Sequence, residues 1–189
     1  PKSTIDRRNT GYAIDLLKDA FEKEEKFNFC TLIAGSEGTL AFITEAKLAI
    51  DPLPPEYASL LCAHFESVYE ALQANLIALK YKPYASELMD HYILERTKGN
   101  IAQRQNRFFL QGDPQAILAI DLRGESKEAV EKMATNLTEE LKAANLGYHF
   151  PLVQGAETIK VWNLRKAGLG LLSNIPGDAK PVPVIEDTA

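Results

Sequence analysis

The chain of 189 residues is short of several things, and each shortage removes a class of reading. It has two cysteines, Cys30 and Cys62, each set inside an apolar run and not in a paired spacing. A disulfide framework and a clustered-thiolate metal site are thereby excluded, and two small buried thiols are expected. The longest apolar stretches, such as Leu60 to Ala63 and Ala116 to Ile120, fall far short of the roughly 20 residues that span a bilayer. There is no surplus of positive charge: 21 Lys and Arg stand against 26 Asp and Glu, the net charge is -5, and the two signs are interspersed. No basic stripe is available to neutralise a phosphate backbone, so nucleic acid is excluded as a partner. The three histidines, His64, His91 and His149, are not read as spaced with another histidine or carboxylate for a metal or catalytic cluster, and all are assigned to structure. The chain starts Pro1-Lys2-Ser3 with neither a methionine nor a targeting peptide, and it stops at Glu186-Asp187-Thr188-Ala189 directly after a strand-like run. Both ends are therefore expected to be cut ones.

What is present is ordinary for a folded protein: 46% hydrophobic and 25% charged residues, enough for one large or two small cores. Ile14, Leu17 and Phe21 recur at helical spacing ahead of the charged run Lys18 to Lys26, which predicts a short helix and a solvated turn. From Ala41 to Ile50 the period changes to two, with Phe42, Thr44, Ala46, Leu48 and Ile50 on one side, which predicts a half-exposed strand. Asp51-Pro52-Leu53-Pro54-Pro55 then ends that pattern, because proline removes ladder donors and holds the backbone extended. This is the expected domain boundary.

Beyond it, Tyr57 to Phe65 reads as a buried strand. Ser67-Val68-Tyr69-Glu70 reads as a capping box that opens a helix with Val68, Leu72, Leu76 and Leu79 facing inward, ending near Lys82-Pro83. Ala85 to Leu88 predicts a short strand, Met89 to Lys98 a short helix, and Gly99 to Asp113 a polar surface excursion. The pattern then recurs: a strand over Gln115 to Leu122, a helix capped by Ser126 with Val130, Met133, Leu137 and Leu141 on one face, and a strand over Tyr148 to Val153. A helix over Ala156 to Leu172 follows, and Pro176-Gly177-Asp178 turns the chain into a last strand at Val182 to Ile185. Two strand-helix-strand units in tandem predict an α+β, ferredoxin-like arrangement, an antiparallel sheet with its helices on one face.

The stretch with most chemical content is Gly35-Ser36-Glu37-Gly38-Thr39-Leu40, followed by Ile43-Thr44-Glu45-Ala46. Glycine lets a backbone approach a ligand closely, and consecutive peptide N–H groups in such a turn, helped by the Ser36 and Thr39 hydroxyls, suit a pyrophosphate. Taken alone, Gly-Ser-Glu-Gly is better accounted for as a plain hairpin-like turn whose glycines satisfy positive φ. The wider string resembles the FAD-binding domain of the vanillyl-alcohol-oxidase flavoprotein superfamily, and within it the branch of D-lactate, glycolate and D-2-hydroxyglutarate dehydrogenases. Arg8-Asn9-Thr10-Gly11-Tyr12 is similar to that branch's Asn-Thr-Thr-Gly-Tyr element with one threonine missing. Ala85-Ser86-Glu87-Leu88-Met89-Asp90 looks like the segment of its cap domain where a strand feeds a helix. Val161-Trp162-Asn163-Leu164-Arg165-Lys166 and Val184-Ile185-Glu186-Asp187 resemble its Trp-x-x-Arg and Glu-Asp elements.

The resemblance implies that residues 1-53 are the C-terminal part of an FAD-binding domain and residues 54-189 a truncated substrate cap domain. It implies FAD as cofactor, contacted by Gly35, Ser36, Glu37, Gly38, Thr39, Leu40 and Ile43. It makes Arg165 the residue that receives a substrate carboxylate, for which an always-charged, forked guanidinium is suited; the structural alternative is a surface ion pair with Glu157 or Asp187. No catalytic group and no metal ligand is assigned within the chain, because the family's proton-abstracting and metal-binding histidines come later. The chain looks most like the long, iron-sulfur-fused type, whose cluster would belong to another part of the parent protein. The implied activity is oxidation of a D-2-hydroxy acid, D-2-hydroxyglutarate ahead of D-lactate or glycolate, with hydride transfer to flavin and an unspecified electron acceptor. The implied location is cytoplasmic, or peripheral at the membrane through that acceptor. A ferredoxin-like binding or regulatory module without flavin chemistry is the rival reading; it has no need of the turn from Gly35 to Thr39.

Overall fold

Pro52, Pro54 and Pro55 deprive their segment of backbone donors, and the chain divides into two units between Asp51 and Pro52. The computed structural model describes residues 11–173 together with Gly177 and Asp178. The expected strand at Val182 to Ile185 and the Glu186-Asp187 element lie outside the described residues.

In the first unit, Ile14–Glu22 forms α1 and Cys30–Ala34 forms α2. The alternating stretch from Ala41 to Ile50 is not a strand. A period of two makes a strand only where a neighbour supplies the other half of the ladder, and no ladder partner faces it among the described residues. Phe42 and Ile50 are accordingly 93% and 91% exposed. Cys30 is exposed too, contrary to expectation, whereas Cys62 is buried, and burial pushes its thiol pKa up.

The second unit contains β1 (Tyr57–Phe65), α3 (Val68–Ala78), β2 (Ala85–Asp90), α4 (His91–Lys98), α5 (Ile101–Arg104), β3 (Ala116–Gly124), α6 (Lys127–Ala143), β4 (Leu152–Gln154) and α7 (Glu157–Ser173). The strands form one four-stranded sheet in the order β2-β3-β1-β4, with every neighbouring pair antiparallel. Each strand-helix-strand unit is therefore split by a strand of the other: β3 lies between β1 and β2, and β1 lies between β3 and β4.

Both helix starts follow from their serines. Ser67 Oγ accepts the N–H of Glu70 at 3.1 Å, and Ser126 Oγ accepts that of Ala129 at 3.1 Å; each cap contributes about 1 kcal/mol. Only half of the expected box forms at Ser67, because the Glu70 carboxylate accepts from the N–H of Glu66 instead.

The helices do not keep to one face. Leu61, Ala63 and Phe65 of β1 and Leu118, Ile120 and Leu122 of β3 pack under α3 and α6. Leu60 and Cys62 of β1, with Ile117 and Ala119 of β3, pack with Met89, Leu94, Phe109, Val161 and Leu164 on the other face. With both faces covered, the two central strands read as continuous apolar runs. The segment read as a surface excursion contributes to this second core, since Asn106 and Phe109 are buried.

On α3 the inward face is not the one expected. Ala71, Ala74 and Ala78 are fully buried, while Val68, Leu72, Leu76 and Leu79 are 40%, 51%, 60% and 53% exposed. The two stripes lie about a third of a turn apart on the helix, and the small one lets α3 sit close to the sheet. On α6 the expectation holds for Val130, Leu137 and Leu141, which are buried, with Met133 half-buried beside them. At the α4–α7 seam, Gly168 is needed for close approach: a Cβ there would lie 3.1 Å from Ile93 Cδ1.

Candidate functional site

The first candidate is the turn that follows α2. The N–H of Thr39 donates to the Ser36 carbonyl at 2.9 Å, and the two residues between, Glu37 and Gly38, have φ of 49° and 76°. Positive φ at both central positions is the signature of a primed turn, for which glycine at the second is nearly strain-free. A Cβ at Gly38 would meet nothing within 4 Å, so backbone conformation, and not crowding within the chain, calls for glycine there.

The hydroxyls that the sequence nominates for phosphate are engaged inside the turn. Ser36 is buried and its Oγ donates to the Ile33 carbonyl at 2.8 Å. Thr39 Oγ1 donates to the Ser36 carbonyl at 2.6 Å and so accepts from Tyr12 Oη, also at 2.6 Å. Among the described residues, the exposed N–H groups of Glu37 and Gly38 have no acceptor. Two adjacent free peptide N–H groups on an exposed turn fit an anionic oxygen of a dinucleotide, so the backbone suits FAD pyrophosphate where the hydroxyls do not. Leu40 and Ile43 follow, 42% and 60% exposed.

Two separate sequence elements meet here. Tyr12 reaches Thr39, and a Cβ on Gly35 would lie 3.3 Å from the Gly11 carbonyl oxygen. The Gly11-Tyr12 end of the upstream element thus backs the turn. Its first residues, Arg8 to Thr10, lie outside the described residues.

The second candidate is Arg165, on α7 in the other unit. Of the two expected counter-ions, Glu157 pairs with Lys160 at 2.8 Å, and Asp187 lies outside the described residues. The partner is Glu87 of β2, whose Oε2 accepts from Arg165 Nε at 3.0 Å and from Nη2 at 2.7 Å. The two side chains are 47% and 35% exposed, so the pair contributes at most about 1 kcal/mol to stability.

His64 is structural, as its surroundings dictate. It is fully buried, with Nδ1 2.9 Å from the Cys62 carbonyl and Nε2 accepting the N–H of Gln111 at 3.3 Å. That arrangement puts the proton on Nδ1 and leaves the ring neutral. Burial lowers its pKa to about 4, the backbone bond to Cys62 opposes this, and nearby His149 lowers it further.

Sequence reading passed over two features. His91 and Glu95 stand one turn apart on α4, and with Asp113 they bring ligand-type atoms within 4.8 Å of one another. The i, i+4 spacing was a visible signal; Asp113 was not. The Lys98 ammonium already bridges Glu95 and Asp113, lying 3.0 Å from Asp113. The other feature is a surface cavity of about 440 Å³ walled by Phe108, Leu110, Gln111, His149, Gln154 and Glu157. Arg165 is not part of its wall.

Residues 54–189 match the family described as FAD linked oxidases, C-terminal domain. The chain belongs to this family. Over 194 residues the FAD-linked oxidase chain is 30% identical to a D-2-hydroxyglutarate dehydrogenase of Pseudomonas putida, an alignment covering 98% of this chain and 19% of that protein. It is 32% identical to a D-2-hydroxyglutarate dehydrogenase of Haemophilus influenzae over 97% of this chain and 19% of that one. With the glycolate oxidase subunit GlcD of Escherichia coli it shares 29% identity over 89% of this chain and 32% of that one. The FAD-linked oxidase chain thus spans about a fifth of the length of these two dehydrogenases. Among the described residues, no helix is long and apolar enough to cross a membrane.

Proposed function

We propose that this chain is part of an FAD-dependent oxidoreductase that oxidises a D-2-hydroxy acid to the 2-oxo acid, with D-2-hydroxyglutarate favoured over D-lactate and glycolate. The observation that carries the proposal is the half-exposed Arg165 guanidinium, which among the described residues is tethered only by Glu87. A cation presented in this way binds a carboxylate, which every 2-hydroxy acid has. The names of the relatives support the order of preference among substrates.

Residues 1-53 are read as the C-terminal part of an FAD-binding domain and residues 54-189 as the substrate cap domain. The β2-β3-β1-β4 order with two interlocked strand-helix-strand units supports reading the cap as ferredoxin-like. The N–H groups of Glu37 and Gly38 would hold the cofactor's phosphate oxygens, with Leu40 and Ile43 beside them. When bound, FAD supplies the two-electron hydride acceptor. Arg165 anchors and orients the acid. His64 offers no base, because both its ring nitrogens are engaged and it lies buried among Cys62, Gln111 and His149.

The full-length protein tests the proposal: it should purify yellow, and its flavin absorbance should bleach anaerobically on adding D-2-hydroxyglutarate, D-lactate or glycolate. A colourless protein that takes up no added FAD overturns it.

A further inference from the structure

We infer that Glu87 is a positioning residue for the substrate carboxylate: it clasps the Nε–Nη2 edge of the Arg165 guanidinium so that the end-on edge receives the 2-hydroxy acid. The inference rests on the reading of Arg165 given above and adds to it a second residue, 78 positions away in the chain.

The placement begins with the strand. Met89 of β2 is buried in the core that also holds Val161 and Leu164 of α7. Glu87, two residues earlier on the same strand, points to the same side. Arg165 follows Leu164 directly, so the packing of α7 brings its side chain over the edge strand and onto Glu87.

The hydrogen bonds then divide the guanidinium. Arginine has five N–H donors in a plane, one on Nε and two on each Nη. Nε and Nη2 both donate to the same carboxylate oxygen, Oε2 of Glu87. Five less two leaves three: both on Nη1 and the second on Nη2. Among the described residues these three have no acceptor. Two of them, one on each Nη, form the end-on fork, which matches the two oxygens of a carboxylate.

Magnitudes favour an orienting role over a stabilising one. An exposed pair like this changes the folding constant by at most about fivefold. Holding an arginine in one rotamer beforehand is worth more to a ligand, up to about thirtyfold, because that entropy is no longer lost on binding. Against it stands repulsion between Glu87 and the incoming carboxylate, on the order of threefold across a guanidinium in a water-like surrounding. The net effect is tighter binding with Glu87 than without it.

The test uses the full-length, FAD-loaded enzyme with D-2-hydroxyglutarate, D-lactate and glycolate as probes. Glu87→Ala should raise the KM of the acid that is oxidised about tenfold and leave kcat within about twofold. Glu87→Gln, which keeps the acceptor oxygen, should recover most of that loss. Glu87→Asp, which draws the oxygen back by one methylene, should shift KM in the same direction as Glu87→Ala and serves if the alanine variant does not fold. In an Arg165→Ala background, Glu87→Ala should change KM no further. A KM that stays constant or falls in Glu87→Ala and Glu87→Asp, or losses that add in the double variant, overturns the positioning role. An Arg165→Ala enzyme with unchanged KM instead overturns the reading of Arg165 itself, so the two failures are distinguishable.

Discussion

The Glu70 carboxylate, in the first turn of α3, accepts the backbone N–H of Gly147 at 2.5 Å across 77 residues of sequence. Its second oxygen accepts the N–H of Glu66 at 3.0 Å. One side chain thus ties the end of β1 to the loop that leads into β4. Glu70→Ala should cost about 2 kcal/mol of stability, the usual scale for charge-assisted hydrogen bonds. At Gly147 itself, φ is +80°, and a Cβ would lie 2.9 Å from Phe150 Cζ and 3.0 Å from the His64 carbonyl oxygen. Gly147→Ala should therefore cost more, about 3 kcal/mol from overpacking and left-handed strain together. Urea midpoints of the two variants rank them, and the reverse order contradicts this account.

His64 predicts a pH dependence with a definite sign. Its folded pKa of about 4 lies below the ordinary histidine value of 6.5, so the unfolded chain binds the proton first as pH falls. Stability is full above the unfolded value and is lost as pH drops from there towards the folded one. The loss should reach about 2 kcal/mol between about pH 7 and about pH 5. Urea unfolding of the parent and of His64→Gln at both pH values isolates this share, because it is the slope and not the absolute stability that is compared. Equal slopes would show that His64 does not carry it.

The turn after α2 predicts cofactor retention. A β-branched residue at the +76° φ of Gly38 is strained by about 1–2 kcal/mol and would redirect the N–H groups of the turn. In the full-length protein, Gly38→Val should lose most of its FAD on gel filtration, and Gly38→Asn should retain more, since asparagine visits the left-handed region. Undiminished flavin in the valine variant would remove the turn from the cofactor site.

On α3, size and burial are inverted relative to the helical pattern, and the inversion has a mutational signature. Leu76→Gln, on the exposed stripe, should shift stability by no more than about 0.5 kcal/mol. Ala74→Leu should cost about 1–3 kcal/mol, because no space exists between α3 and the sheet at a fully buried position. Thermal denaturation separates these outcomes, and a large loss at Leu76 would refute the packing described.

By itself, the amino-acid sequence determined what near neighbours decide. The prolines from Pro52 to Pro55 mark the division, Ser67 and Ser126 start their helices through bonds to residues three positions on, and the apolar runs of β1 and β3 announce strands, although helices were expected on one face of the sheet and cover both. The turn from Gly35 to Thr39 was legible as well, because its positive φ angles call for glycine locally. Tertiary structure alone decided which stripe of α3 faces the sheet, since the closeness of that packing depends on residues far along the chain. It alone joined Gly11 to Gly35, Asp113 to His91, and Glu87 to Arg165. It also withheld a strand from Ala41 to Ile50, for which alternation was present and a ladder partner among the described residues was not. Hydrogen bonds within a few residues are encoded in spacing; the partner across a sheet or a helix seam is chosen only when the whole core closes.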